Sequence, residues 1–270
     1  MNEIFNIKRF TWLLKKTLWE RFLPMCGIVG ITFFLTGIIY FINRPIVTAT
    51  MTSTSSSSFQ EMSFTLGLTL GGGVLAGLVF AYFSESARGY GYLTLPASAF
   101  EKWLCGFLIV GVFTVIFPIF FRIMDTAFVH HFHDTLPKSR GDYQKMFEMV
   151  NVLSFDSWEL KNTYYIYFML IGLMAIGSLY FNKMALIKSA IGFIIVFASL
   201  YFLNQFIAAL IFGERVSTLP FMYKITVLTI HFPTIFLENG PRLLMESFFL
   251  IVLPIVLWII AFIRLHEKEF

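Results

Sequence analysis

The sequence predicts an all-α polytopic membrane protein with six transmembrane helices, an N-terminal interfacial amphipathic helix, and a partly re-entrant helical segment between spans five and six. Three observations lead there. Six long apolar runs, 23–42, 64–83, 103–124, 164–181, 187–213 and 247–265, are mostly near or above the roughly 20 residues a helix needs to cross a ~30 Å hydrocarbon core. The chain is 57% hydrophobic and only 13% charged over 270 residues, far more apolar than a water-soluble domain. Its basic residues sit beside the apolar runs, so the formal charge of +4 is a membrane-flanking pattern and not a nucleic-acid surface. The whole chain, 1–270, reads as a single transmembrane domain.

Residues 1–22 are expected to form a cytoplasmic interfacial helix. Ile7, Phe10, Leu14, Leu18 and Phe22 recur at three- or four-residue intervals, while Lys8, Arg9, Lys15, Lys16 and Glu20 lie off that stripe. The first apolar run starts only after some twenty residues and lacks a small-residue cleavage site, so it is read as a retained span and not a signal peptide. Lys8, Arg9, Lys15, Lys16 and Arg21 precede it and Arg44 alone follows, which puts the N-terminus in the cytoplasm. Six spans return the C-terminus to the same side of a cytoplasmic (inner) membrane. Arg88 and Lys102, Lys183 and Lys188, and Arg264 and Lys268 then fall on cytoplasmic segments.

Between the spans, Thr52-Ser53-Thr54-Ser55-Ser56-Ser57-Ser58 has no apolar side chain to bury and reads as a flexible connector. The stretch from Arg122 to Lys161, centred on Pro137-Lys138-Ser139-Arg140-Gly141-Asp142, is too polar to cross the bilayer and is expected to carry short helices on the outer surface. Residues 214–246 are too interrupted for an ordinary span, by His231-Phe232-Pro233 and Asn239-Gly240-Pro241-Arg242, yet too apolar for a free loop. Short helices dipping into the outer leaflet are the expectation, with a seventh span as the competitor.

Few residues suggest chemistry. In the second span Gly67, Gly71, Gly72, Gly73 and Gly77 strip side chains from neighbouring turns and let another helix come close, either within the chain or at a dimer seam. No Gly-Lys-Ser/Thr follows them, so they are no phosphate loop. Cys26 and Cys105 read as small hydrophobes. His130, His131, His133 and Asp134 match no known metal-ligand spacing; as interfacial residues near Arg122 and Asp125 they suit hydrogen bonds or lipid headgroups better. The near absence of charge within the spans argues against a proton-driven carrier or ion pump. Asn204 and Gln205 are the main polar exceptions, open to two readings: a substrate path or a hydrogen bond between helices. Glu214 and Arg215, being adjacent, do not share a helix face. No catalytic pair, metal site or cofactor motif emerges, and the chain is expected not to be an enzyme.

The most specific stretch runs from Arg88 to Leu104. Pro96 can end an extended segment, Ser98 can cap a helix, and Glu101, three residues on, can complete a capping box, giving a sharp turn into the third span.

Through that stretch the chain resembles the permease subunits of ABC-2-type transporters, in particular a divergent branch found in Bacteroidota. The likeness rests on LTLPASAFEKWL between spans two and three, on FNIKRFTWLLKKTLWERF before the first, and on the six-span order. It covers most of the chain as architecture and about fifteen residues as motif. The resemblance implies an ATPase subunit near Arg88, Pro96, Ser98, Glu101 and Lys102, and a partly re-entrant external segment at 214–246. It further implies a permease homodimer or pseudo-symmetric heterodimer exporting a hydrophobic or amphipathic substrate. ATP hydrolysis would come from a separate chain, since no GxxxxGK[ST] is present here. An alternative is a non-transporting accessory or scaffold membrane protein that recruits a cytoplasmic partner. Membrane lipids are partners under either reading.

Overall fold

Asn6 starts the first helix. Its Oδ1 accepts hydrogen bonds from the backbone N–H groups of Lys8 at 3.1 Å and Arg9 at 3.4 Å, two donors that a helix start leaves unpaired. From this cap α1 runs unbroken as Ile7–Ile42, 36 residues. The expected interfacial helix over 1–22 and span over 23–42 are therefore one rod, about 54 Å long at 1.5 Å per residue. No turn or capping sequence separates Phe22 from Leu23, and Pro24 removes only one backbone donor, too little to end the helix.

The computed structural model describes residues 5–42, 53–81, 96–136, 143–155, 158–181, 184–212, 216–217, 224–227, 234–236, 243–244 and 247–268. After α1 come α2 (Ser53–Ala81), α3 (Ala99–Thr135), the short α4 (Tyr143–Met149), α5 (Trp158–Tyr180) and α6 (Ala185–Phe212). Most of the serine tract, read as a connector, forms the first turns of α2 instead. Serine tolerates a helix, and extending an existing helix is far easier than nucleating one. The polar Arg122–Lys161 stretch holds the continuation of α3 and the short helix α4.

Among the described residues five helices are long and apolar enough to cross a membrane: Ile7–Ile42, Phe59–Ala81, Ala99–Thr135, Leu160–Tyr180 and Ala185–Ile207. The chain is a multi-pass helical membrane protein. The sixth expected span, 247–265, is a π-helical turn, Phe248–Val252, leading into α7 (Leu253–Lys268), whose 16 α-helical residues fall short of a full crossing by themselves.

Residues 214–246 depart from expectation. Their described part holds a three-stranded antiparallel sheet, β1 (Val216–Ser217), β2 (Lys224–Val227) and β3 (Thr234–Phe236), in the order β1-β2-β3, where re-entrant helices or a seventh span were expected. Val216 pairs with Val227, Ile225 with Ile235, and Thr226 with Thr234. These β-branched pairs suit a pleated surface, and the apolar run Ile225–Ile230 is too short for an independent helix.

The chain divides into two compact units. In the first, Met1–Leu75 with Leu104–Thr163, Val129 and Phe132 of α3 and Leu136 just past its end form a small core with Val150 just beyond α4. In the second, Ala76–Trp103 with Tyr164–Phe270, Tyr165 and Met169 of α5 pack against Phe193 and Phe197 of α6 and Leu253 of α7. A Cβ on Gly172 would meet Leu257 at 2.8 Å, so α5 and α7 touch at backbone range there. Between α5 and α6 the backbone of Met184 is left-handed, with φ 53°.

Candidate functional site

Three polar residues at helix ends meet inside the first unit. Tyr40 lies two residues before the end of α1, Gln60 in the second turn-pair of α2, and Asp125 on α3 just past the apolar run 103–124. Asp125 and Tyr40 are wholly buried and Gln60 is 2% exposed. A buried carboxylate needs donors, and Asp125 has three. The Tyr40 hydroxyl and the Gln60 side-chain amide, the latter at 2.7 Å, donate to Oδ1, and the backbone N–H of Leu153 donates to Oδ2 at 2.7 Å. Gln60 uses the same amide nitrogen to reach the Asn151 carbonyl at 3.0 Å. One carboxylate thus ties α1, α2, α3 and the segment after α4 together.

Aromatic rings shield the node. Around Tyr40 stand Phe59 at 5.2 Å, Phe121 at 5.9 Å and Phe128 at 5.1 Å, all edge-on, a geometry that ring quadrupoles favour. Shielding from water strengthens the hydrogen bonds within it and raises the cost of breaking any one. About two turns further along α3, His133 Nε2 lies 2.9 Å from the Val150 carbonyl and its ring stacks 4.0 Å from Phe147. That histidine anchors the segment around α4, while His130, His131 and Asp134 are exposed. Among the described residues no group of three or more His, Cys, Asp or Glu is placed to hold a metal ion.

At the start of α3, in the second unit, the capping box is formed on both sides. Glu101 N–H donates to Ser98 Oγ at 3.2 Å, and Ser98 N–H donates to Glu101 Oε2 at 3.0 Å. Trp103 Nε1 donates to the Trp258 carbonyl of α7 at 3.2 Å, and its ring lies 6.0 Å from those of Trp258 and Phe262. The turn into α3 is therefore fixed to α7. Glu101 is wholly buried and Lys102 is 1% exposed; Pro96 is exposed. Arg88 lies outside the described residues.

The glycines face the chain's own helices. A Cβ on Gly67 would run into the Thr36 side chain and approach Phe117 Cζ at 2.5 Å; one on Gly71 would meet Thr32 Cγ2 at 2.5 Å and Phe113 Cζ at 2.7 Å. Thr32 and Thr36, one turn apart on α1, therefore sit opposite Gly71 and Gly67. On Gly77 a Cβ would lie 3.1 Å from Met174 Cε, and Gly73 is buried. Asn204 and Gln205 are half-buried on α6 beside the exposed Leu203, Phe206 and Ile207. Cys26 is exposed and Cys105 buried, both as free thiols.

Asp125 is what sequence reasoning missed as a centre. A signal existed: Tyr40, Gln60 and Asp125 flank the ends of successive apolar runs that alternating crossings bring to one membrane face. In comparison with known proteins, no family model, no curated protein and no solved structure matches the chain.

Proposed function

We propose that this chain is the membrane-spanning permease subunit of an ABC transporter, working as a homodimer or pseudo-symmetric heterodimer with a separate ATPase to export a hydrophobic or amphipathic substrate. It would sit in the cytoplasmic membrane with both termini in the cytoplasm. The observation that carries this reading is the start of α3. In the ABC-2 permeases that the chain resembles, the loop between spans two and three faces the ATPase, and here that loop ends in a reciprocal capping box clamped to α7 through Trp103. A push delivered to such a joint moves helices instead of fraying a loop, which is what coupling to nucleotide-driven closure requires. Glu101 is turned into its own cap, so contact with a partner would fall to Pro96 and Arg88.

The test is mild-detergent co-purification of the full chain with a candidate ABC ATPase from the same genome, comparing wild type with Arg88→Glu at matched expression. Stable association, weakened by R88E and accompanied by nucleotide hydrolysis, supports the reading. A monodisperse chain that holds no ATPase refutes it. A second reading, the non-transporting scaffold, is favoured by the way Asp125 and Glu101 spend hydrogen-bonding capacity on their own chain. Partner binding without hydrolysis would select it.

A further inference from the structure

The first four turns of α1 carry a groove of about 630 Å³, lined among the described residues by Thr11, Leu14, Lys15, Leu18, Trp19 and Phe22 and almost wholly apolar. This stripe differs from the one that packs into the protein, where Phe10, Leu13 and Thr17 are buried. Its volume is that of an ordinary ligand site. Its chemistry changes along the helix axis. Thr11 and Lys15 stand at the end carrying Lys8, Arg9 and Lys16, and Leu18, Trp19 and Phe22 at the end that continues unbroken into the apolar run 23–42. From Thr11 to Phe22 is about 16 Å along the axis, and because residues 23–42 alone are long enough to cross a ~30 Å core, this stretch lies on the headgroup side and reaches the hydrocarbon edge at Phe22.

The headgroup end of a phospholipid changes in the same order, from charged phosphate to the apolar start of its acyl chains. We propose that this groove binds one anionic phospholipid of the surrounding bilayer, its phosphate at Lys15 and the first carbons of its acyl chains at Trp19 and Phe22. Charge selects the headgroup: residues 7–22 hold five basic side chains against Glu20 alone, and Glu20 is 3.8 Å from Lys16, away from the groove lining. Lys15 Nζ stands 5.8 Å from the ring of Trp12, and Trp12 and Trp19 are 72% and 81% exposed, as tryptophans at the headgroup level are. A soluble anion would gain nothing from the apolar end, and a zwitterionic lipid, whose phosphate is balanced by its own cation, gains less from the basic one. The proposal does not depend on the transport reading.

The test reconstitutes the full chain in nanodiscs containing brominated phosphatidylglycerol or brominated phosphatidylcholine at equal mole fraction and reads tryptophan quenching. Wild type should be quenched more by the anionic lipid, and Trp19→Phe should remove most of that difference. Lys15→Gln should weaken the preference about tenfold, as loss of a direct contact between charged groups does. A control variant with Lys8→Gln and Lys16→Gln should largely keep it. Equal quenching by both lipids refutes the site. So does a control that loses as much as K15Q, which would mean diffuse surface charge, and so does displacement by excess inorganic phosphate. A Trp19 that neither lipid quenches would mean the groove is covered by a second copy or another protein, and would also overturn the proposal.

Discussion

Replacing Asp125 by alanine tests whether the buried carboxylate holds the first unit together. The substitution strands three donors, the Tyr40 hydroxyl, the Gln60 amide and the Leu153 N–H, in a site closed by Phe59, Phe121 and Phe128. A buried donor left without an acceptor costs about 1–3 kcal/mol. Gln60 keeps its bond to the Asn151 carbonyl and some relaxation will follow, so the low end applies to each and the total is about 3–5 kcal/mol. For a unit of this size that corresponds to a melting temperature lower by about 6–20 °C. Asp125→Asn retains an acceptor oxygen but turns an NH2 group toward donors, and should lose about 1–3 kcal/mol. Tyr40→Phe deletes one hydrogen bond and should cost about 1 kcal/mol in the wild type and much less on the Asp125→Ala background. The assay is thermal stability of the detergent-solubilised chain followed by size-exclusion chromatography with fluorescence detection, at one heating rate. A D125A variant that melts with the wild type, or a Y40F effect that is the same on both backgrounds, would refute the argument.

Gly67→Ala and Gly71→Ala should each destabilise by about 1–3 kcal/mol, because the new methyl group meets Phe117 or Phe113 and a threonine of α1. Gly111→Ala, where nothing stands within 4 Å, should instead be neutral or gain up to about 1 kcal/mol from helix propensity; the same melting assay reads both signs. Ser98→Ala removes the hydroxyl that accepts from Glu101 N–H and should cost about 1 kcal/mol, with faster hydrogen exchange confined to the first turn of α3. Met184→Gly relieves a left-handed backbone at a 69% exposed position and should stabilise by about 0.5–1 kcal/mol.

What could be read from the sequence was local. Ser98 and Glu101 stand three apart, and a capping box needs nothing more than that spacing. The glycines announced a close helix approach, since no other residue leaves that space, but not that Thr32 and Thr36 of α1 would fill it. The boundary drawn at residue 22 failed because a change of composition from basic-amphipathic to apolar is not a helix stop. The sheet was missed because Ile225–Ile230 was weighed by its apolarity, when its β-branched residues and the Pro233 break point to short strands. Asp125 was visible only as a polar residue near histidines. Its partners lie 85, 65 and 28 residues away along the chain, and no periodicity within one helix reports contacts of that range.

The same separations set an order of events during synthesis. Tyr40 and Gln60 are already made when Asp125 is added, whereas Leu153 follows 28 residues later, roughly 1–6 s at a translation rate of 5–20 residues per second. Through that interval the nascent carboxylate has only its two upstream donors to draw on. The insertion machinery therefore handles a half-assembled knot that tightens once the segment beyond α4 arrives. Loss of either early donor would leave the growing chain open to quality-control proteases during biogenesis, a harsher penalty than the stability of the finished protein would suggest.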